Sequence, residues 1–456
     1  MSGAPRETLE AALDLLAPLR DVVLGRVVGP EVPAWCARRG WAPWLLARSD
    51  AELEALEATG LGRAEPRLLE DAPESLRALV RAVATLLAPY WSPRDAAPDA
   101  PSTDASPRLD AARGASPRPD APAATSRLDT ARHASSGAAP RRDASLDERP
   151  PEPPARQGRR VKARKRLQVE ALREAAAPLA AGARRVIDVG AGHGHLTRAL
   201  RERLALPALG LERDPARVRV ARELAGPAGP RFEATDASRA IPAGPGDLLV
   251  GLHACGGLGD ALVTRAAATG AHALLVSCCH QKIDGPARAP LSRLARDRGF
   301  ELPREALGLA NLAYGLEIVS GGAEAIQRGR ETRHALALLL RERGVDLGPG
   351  DEARGIGRDR FRKGLAHVAP RALARRGLAQ PGPTELETTL ARAREEHGRM
   401  RRLGLPRGLL GRLLELALVL DRAVALEEAG HAVRVEPAFP AQVSPRNLAL
   451  LARARS

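Results

Sequence analysis

The first part of the chain carries apolar residues at helical spacing, with charged residues between them. Two clear examples are ThrLeuGluAlaAlaLeuAspLeuLeu at residues 8–16 and SerLeuArgAlaLeuValArgAlaValAlaThrLeuLeu at residues 75–87. Apolar positions three and four residues apart fall on one face of an α-helix. The pattern therefore predicts a small helical N-terminal domain over residues 1–91. Because tryptophan supplies much apolar area, three tryptophans of this region are expected to pack in its core or against a neighbouring domain: Trp35, Trp41 and Trp44.

The composition changes after this helical region. Residues 92–158 are mainly Ala, Pro, Asp, Arg and Ser, with an imperfect repeat of short units that run from Ser to Asp. Such a segment has too little apolar mass to offset the conformational entropy lost on ordering. We therefore predict a disordered linker over residues 92–158. Its charges are of both signs, which argues against a nucleic-acid-binding arm.

From residue 159 onward, short apolar runs alternate with helical patterns. A basic cluster at 159–172 leads into a helix, on which Lys165 and Gln168 are candidates to face a cofactor or a phosphate. Apolar runs follow at 186–189, 208–211, 231–234, 247–252 and 272–277. Strands that alternate with helices build a parallel sheet through right-handed crossovers. We interpret residues 303–430 as a mainly helical insertion that forms a cap, and the segments 431–436 and 447–452 as a final antiparallel strand pair.

A glycine-rich loop lies between the first apolar run and the next helical pattern. The segment ArgValIleAspValGlyAlaGlyHisGlyHisLeuThr, residues 185–197, contains Gly190, Gly192 and Gly194. Glycines let the backbone turn sharply and approach a ligand, because a side chain there would fill the space the ligand needs. The dinucleotide fingerprint is G-x-G-x-x-G, whereas this spacing is G-x-G-x-G. The loop instead resembles the S-adenosylmethionine loop of methyltransferases, so S-adenosylmethionine is the expected cofactor.

Acidic residues stand at the ends of the first three apolar runs. Asp188 lies in the first run, Glu212 ends the second, and Asp236 follows the third. A carboxylate at the position of Glu212 accepts hydrogen bonds from both ribose hydroxyls in dinucleotide and S-adenosylmethionine sites. In class I methyltransferases, an acid at the position of Asp236 commonly holds the adenine amine. We therefore predict that Asp188, Glu212 and Asp236 bind the cofactor together with the three glycines.

Cysteine and histidine residues follow the fourth and fifth apolar runs. HisAlaCysGly occupies residues 253–256, and CysCysHisGlnLys occupies residues 278–282. In a doubly wound sheet, ligands lie beyond the carboxyl ends of the strands near the switch point, so both loops should border one pocket. The predicted catalytic residues come from these two loops: His253, Cys255, Cys279 and His280.

Several roles remain open for these residues. In the first, they shape an acceptor pocket in which His253 or His280 takes a proton near neutral pH. In the second, Cys255 and Cys279 act like the paired cysteines of 5-methylcytosine RNA methyltransferases, where one attacks the base and the other helps to release it. A zinc site is the third, but adjacent cysteines chelate one ion poorly and no C-x-x-C occurs, so no metal is expected. The structural alternative is small buried thiols that pack between strands.

Composition narrows the class of protein only a little further. The formal net charge is +15 at pH 7, but the abundance of Ala, Gly, Pro and Arg matches a bias toward GC-rich codons. The charge is therefore weak evidence for RNA binding. The four cysteines are too few for a secreted disulfide framework, and no stretch approaches the roughly 20 apolar residues that span a bilayer. A cytoplasmic protein without a membrane partner is expected.

Taken together, the motifs resemble those of the methyltransferase-like protein 25 family from about residue 160 onward. The resemblance is carried by the basic helix start at 162–169, AspValGlyAlaGlyHisGlyHisLeu at 188–196, GlyLeuGluArgAsp at 210–214, LeuHisAlaCysGly at 252–256, CysCysHisGlnLys at 278–282, LeuAspArg at 420–422 and SerProArgAsn at 444–447. It implies an α/β, Rossmann-like class I methyltransferase domain over residues 159–456, with a mostly parallel seven-strand sheet. The chain departs from the family at Leu167 and Gln168, where a His-Glu pair is usual, and at His280, where an aromatic residue is usual.

These observations predict an S-adenosylmethionine-dependent methyltransferase that acts on a macromolecule, RNA or protein. The alternative is a regulatory or scaffold protein that binds S-adenosylmethionine without methyl transfer. The glycine loop with Glu212 and Asp236 favours cofactor binding in both cases, so that turnover is what separates the two.

Overall fold

The computed structural model describes residues 4–91, 163–311, 323–348 and 350–455. Its contacts place the N-terminal region and residues 162–456 in one compact unit. The predicted linker over residues 92–158 lies outside the described residues, and its disorder stays a prediction.

A seven-stranded sheet lies at the centre of the described structure. Its first five strands are β1 (Arg185–Val189), β2 (Ala208–Glu212), β3 (Arg231–Ala234), β4 (Asp247–Leu252) and β5 (His272–Val276). A short hairpin of β6 (Ala287–Arg288) and β7 (Leu302–Pro303) stands apart from it, and the last two strands are β8 (His431–Pro437) and β9 (Leu448–Ala454). The strand order is β3-β2-β1-β4-β5-β9-β8, in which β9 runs antiparallel to both of its neighbours. The predicted fold class, a mostly parallel seven-strand α/β sheet with a final antiparallel pair, is confirmed.

The central strands are buried along their length because helices cover both faces of the sheet. Side chains alternate between the faces: Leu248 and Val250 of β4 pack in one apolar core, whereas Leu249 packs in the other. The strand order reverses between β1 and β4. Their carboxyl ends therefore border the crevice in which a sheet of this type holds its ligand.

Short helices connect the strands and cover the sheet. They are α7 (Ala163–Ala176), α8 (His195–Leu204), α9 (Pro215–Ala225), α10 (Gly257–Thr269), α11 (Arg293–Asp297) and α12 (Arg304–Leu307). The inserted helices are α13 (Ala323–Glu342), α14 (Arg358–Phe361), α15 (Leu365–Ala374) and α16 (Pro383–Glu428). The insertion lies directly before the last two strands, as predicted. Among the described helices, none combines the length and apolar character needed to cross a membrane.

The N-terminal region is helical as predicted. Its helices are α1 (Pro5–Leu16), α2 (Arg20–Leu24), α3 (Ala34–Arg38), α4 (Ala42–Leu46), α5 (Asp50–Thr59) and α6 (Glu74–Leu87). These helices share an apolar core with one face of the sheet and with α16. Trp35, Trp41 and Trp44 are buried in that core, as expected for residues of large apolar area.

Helix α16 is the element on which both halves of the structure pack. Its first part closes a small core with α13 and α15, and its last part, residues 403–426, is buried almost without interruption. This last part packs on α1, on α10 and on the two final strands. Although the insertion is helical as predicted, this portion is a core helix and not a peripheral cap.

Four charged side chains form a buried network between α16 and the sheet domain: Asp260, Arg288, Asp421 and Arg422. Arg422 donates from Nε to Asp260 Oδ1 at 2.8 Å, and Arg288 donates two hydrogen bonds to the same carboxylate at 2.9 and 3.1 Å. Arg288 Nη1 also lies 2.8 Å from Asp421 Oδ2, in an ionic contact without hydrogen-bond geometry. Burial alone would raise the pKa of Asp260, but the two guanidinium groups lower it to about 2.

The network also fixes loop backbone. Arg422 Nη2 donates to the carbonyl of Gly256 after β4, and Arg422 Nη1 donates to Ser277 Oγ after β5, both at 3.2 Å. Asp421 accepts hydrogen bonds from the backbone N–H groups of Leu291 and Ser292 at 2.9–3.1 Å. One turn of α16 therefore holds the loops that follow β4 and β5, together with the segment before α11.

We expect Arg422→Met to destabilise the protein by about 3–5 kcal/mol, because removing one partner leaves buried charge uncompensated. Urea unfolding followed by circular dichroism measures this change. Arg67→Met is the control, since Arg67 forms an exposed pair with Glu65 and its loss should not measurably change stability. Equal stability of the two variants would show that the network does not constrain the fold.

Candidate active site

The glycine loop has the backbone that its sequence requires. Gly190, Gly192 and Gly194 have φ angles of +82°, +59° and +72°, which L side chains rarely adopt. A Cβ atom on Gly192 would meet nothing within 4 Å, whereas one on Gly194 would collide with the ring of Phe232. Gly192 therefore borders open space, and Gly194 permits close packing of α8 on β3.

The side chain of Glu212, at the end of β2, contacts the glycine loop. Its side chain is buried, and Oε2 accepts a hydrogen bond from the backbone N–H of Gly192 at 2.9 Å. Its other oxygen accepts from the N–H of Asp214 at 3.1 Å. The predicted ribose-binding carboxylate thus lies against the loop, with both oxygens held by backbone donors.

Asp188 is buried beneath the loop. Thr197 of α8 donates a hydrogen bond to Asp188 Oδ2 at 2.6 Å. Burial raises the pKa of Asp188 to about 6, against the opposing effects of Thr197 and of the nearby Lys165 ammonium group. Asp188 therefore holds the start of α8 against the end of β1.

Asp236 lies at the edge of this region, after β3. Its side chain is 47% exposed, and it accepts hydrogen bonds from the backbone N–H and the hydroxyl of Ser238 at 3.1 and 2.6 Å. These bonds lower its pKa. The structure thus places Asp236 in a surface turn beyond the sheet, in hydrogen-bond contact with Ser238.

His253 sits at a strained turn after β4, with φ of +64°. Its backbone N–H donates a hydrogen bond to the carbonyl of Val276 at 2.8 Å. The ring atom Nε2 lies 3.1 Å from Gln168 Oε1. Since that oxygen accepts, Nε2 carries the proton and Nδ1 is the free acceptor. Nδ1 is buried and has no hydrogen-bond partner in the described structure. The ring therefore has an unpaired acceptor atom.

The protonation of His253 differs from what its sequence position suggests. Burial and the charges of Lys165, Arg164, Arg446 and Lys282 lower its pKa to about 4. The ring is therefore neutral at physiological pH, and it is a weak base. Near pH 7 the ring therefore offers its free Nδ1 atom as a hydrogen-bond acceptor, and its part in catalysis stays a prediction.

Three cysteines meet where the loops after β4 and β5 face each other. Cys255 Sγ lies 2.7 Å from Cys278 Sγ, and Cys278 Sγ lies 3.7 Å from Cys279 Sγ. All three are free thiols and partly exposed. The hydrogen bond from Cys278 lowers the pKa of Cys255 to about 6, and the same contact raises the pKa of Cys278.

Cys255 thus forms its sulfur contact with Cys278, whereas the hypothesis of a nucleophilic pair joins Cys255 with Cys279. Adjacent side chains point to opposite sides of an extended strand, but the Sγ atoms of Cys278 and Cys279 lie 3.7 Å apart. Both cysteines follow the end of β5, where the chain no longer alternates in this way. Only the position of Cys255 on the neighbouring loop shows that three thiols converge.

His280 does not join the other predicted catalytic residues. Its side chain is fully buried, and Nδ1 lies 3.4 Å from Arg422 Nη1. Burial, together with the charges of Arg422 and Arg288, holds its pKa well below the usual range. The turn after Cys279 carries this ring inward onto the buried network. Cys255, in contrast, lies within 4.8 Å of Cys279 and donates a hydrogen bond to the backbone carbonyl of His253 at 3.0 Å.

The strand order, the glycine loop after β1 and the acid at the end of β2 together define a class I methyltransferase domain. Residues 164–286 match a family model described as a methyltransferase domain. Residues 164–286 are thus similar to methyltransferase domains, and class I domains generally use S-adenosylmethionine as the methyl donor. The finer likeness to the methyltransferase-like protein 25 family stays a prediction.

The chain is also similar to the solved structure of a sugar N-methyltransferase from Streptoalloteichus sp. The identity is 22%, and the match covers 27% of this chain and 53% of the other, with a TM-score of 0.21. The similar region therefore spans about half of that enzyme.

The lowered pKa of His253 predicts a specific dependence of stability on pH. In the unfolded chain the ring binds a proton near pH 6.5, but in the folded protein only near pH 4. The contribution of the neutral ring to the free energy of unfolding is therefore complete above pH 6.5 and is lost as the pH falls toward 4. Relative to His253→Asn, wild type should lose about 3 kcal/mol of unfolding free energy between pH 7.5 and pH 4. Urea unfolding across this range measures it. Parallel curves for the two proteins would contradict the buried, neutral ring.

Proposed function

We propose that this protein is a methyltransferase that uses S-adenosylmethionine and methylates an RNA acceptor. The observation that carries the choice of RNA is electrostatic. Four cationic side chains, those of Arg164, Lys165, Lys282 and Arg446, act on His253 at the proposed acceptor side. A concentration of positive charge attracts the phosphate backbone through counterion release. This local cluster of positive charge is stronger support for an RNA acceptor than the net charge of the whole chain is.

The residues of the glycine loop fit the expected cofactor. Open space lies beside Gly192, and the buried carboxylate of Glu212 stands at the end of the neighbouring strand. Glu212 would accept hydrogen bonds from the ribose hydroxyls, and Asp236 would accept from the adenine amine. When bound, S-adenosylmethionine supplies an electrophilic methyl group. The protein's own contribution is to orient that group and the acceptor toward each other.

His253 is the proposed acceptor-orienting residue. Its Nε2–H is committed to Gln168, and its Nδ1 atom is left as an unpaired acceptor. This atom would accept a hydrogen bond from an N–H or O–H group of the acceptor and point the lone pair of that group at the methyl. Because the ring is a weak base, positioning and not proton abstraction is its main contribution.

Glu212→Gln should weaken S-adenosylmethionine binding about 10- to 100-fold, since a charged acceptor contributes roughly 1.5–3 kcal/mol per hydrogen bond. Isothermal titration calorimetry measures the affinity. Glu233→Gln is the matched control, because Glu233 is exposed on the adjacent strand and pairs in register with Leu211. If both variants bind as wild type does, Glu212 does not contact the ribose.

Labelled S-adenosylmethionine, incubated with the protein and fractionated cell extract, should place the label in RNA that ribonuclease releases and protease does not.

Lys282→Gln should weaken RNA binding and reduce its salt dependence by about one counterion, whereas Lys363→Gln in the insertion should not. His253→Ala should lower turnover and spare cofactor affinity.

Other outcomes of this labelling experiment separate the remaining hypotheses. Label in protein would overturn the RNA acceptor and keep methyl transfer. Cofactor binding without label in any macromolecule would favour the regulatory or scaffold alternative.

A further inference from the structure

The three cysteines of the acceptor side have the spacing of a metal site. The Sγ atoms of Cys255, Cys278 and Cys279 all lie within 4.8 Å of one another. Tetrahedral zinc with bonds of about 2.3 Å to sulfur holds two thiolates about 3.8 Å apart. The distance between Cys278 and Cys279, 3.7 Å, fits this value. The closer pair, Cys255 and Cys278 at 2.7 Å, needs to separate by about 1 Å.

The backbone that carries these thiols is held from several directions. Gly257 N–H donates to the carbonyl of Lys282 at 2.8 Å, and Lys282 N–H donates to the carbonyl of Cys279 at 3.2 Å. Arg422 fixes the carbonyl of Gly256, the residue after Cys255. The two cysteine loops are therefore joined to each other and to α16 before any ligand binds. Such support is what a metal site needs, because its ligands must be oriented in advance.

We propose that Cys255, Cys278 and Cys279 bind one zinc ion through three thiolates. Within the part of the chain that the structure describes, no fourth cysteine, histidine or carboxylate completes the group. Three protein ligands leave one tetrahedral position for water or a substrate atom, as in catalytic zinc sites. The thiols release their protons to solvent when the ion binds. Two adjacent cysteines alone chelate one ion poorly, but Cys255 from the neighbouring loop adds the third ligand.

Charge around the cluster suits this assignment. Three thiolates and one Zn²⁺ carry a net charge of −1, and the ammonium groups of Lys165 and Lys282 act on Cys278 and Cys255 respectively. All three thiols are partly exposed, so an ion can enter from solvent. The open coordination position would be available to a substrate atom, since these two loops form the proposed acceptor side. Its use in holding the methyl acceptor rests on the proposed function, whereas zinc binding itself does not.

Cobalt(II) titration of the reduced, metal-free, full-length protein tests the site under anaerobic conditions. We expect one Co²⁺ per chain, with sulfur-to-cobalt charge-transfer absorption and the d–d bands of tetrahedral cobalt. Added Zn²⁺ should displace the cobalt, and a chelator assay should then find one zinc per chain. This measurement on wild type requires no variant to fold.

Alanine variants identify the ligands. Cys255→Ala, Cys278→Ala and Cys279→Ala should each lose the charge-transfer absorption or weaken zinc affinity at least tenfold. Cys36→Ala is the matched control, because Cys36 is a free cysteine buried in α3 and should leave one ion per chain. Circular dichroism verifies that each variant is folded.

Several results would overturn the assignment. They are the absence of charge-transfer absorption in wild type, unchanged cobalt binding in the triple alanine variant, or a covalent protein–RNA adduct formed through Cys255. Calorimetry with S-adenosylmethionine on the same samples keeps the two proposals distinguishable. Failure of cofactor binding with zinc bound would count against the proposed function alone.

Discussion

The buried network centred on Arg422 and Asp260 is the constraint on which the site depends. Four charges of balanced sign are enclosed between α16 and the sheet domain, and none can lose its partner without leaving an uncompensated buried charge. Buried ion pairs add little stability over well-packed apolar residues, but they require a particular arrangement of their partners. Here that arrangement sets the position of α16 along the sheet and the path of the loops after β4 and β5.

A second buried group of polar side chains, centred on Arg412, connects α16 to the turn before β9. Arg412 pairs with Glu415 at 2.7 Å and donates to Asn447 Oδ1 at 2.9 Å and to the carbonyl of Pro445 at 3.1 Å. It also reaches the carbonyl of Tyr90 at the end of the N-terminal region. Helix α16 therefore connects the turn before β9, the N-terminal helices and the candidate site, which explains why so apolar a helix carries four buried charged residues.

The two sides of the candidate site follow different physical rules. On the cofactor side, backbone N–H groups and a buried carboxylate meet at a glycine loop, so that geometry is set by local backbone conformation. On the acceptor side, burial and nearby cations lower the pKa of His253, and the hydrogen bond from Cys278 lowers the pKa of Cys255. The chemistry of that side is therefore set by neighbours from distant segments. Three polar segments that are far apart in sequence meet there, namely the start of helix α7 and the turns after β4 and β5.

The sequence by itself determined the sheet, the insertion before its last two strands, and the positions of the glycine loop after β1 and of the acid at the end of β2. These features depend on short-range signals, namely apolar periodicity, glycine spacing and acids at strand ends, which act within a few residues of one another. The tertiary structure alone decided that His280 faces inward, that Cys278 joins Cys255, and that α16 is a core helix. The first two depend on contacts between residues that are 142 and 23 positions apart, and the third depends on packing against elements as distant in sequence as α1. No local pattern encodes which distant side chain will lie beside a given loop.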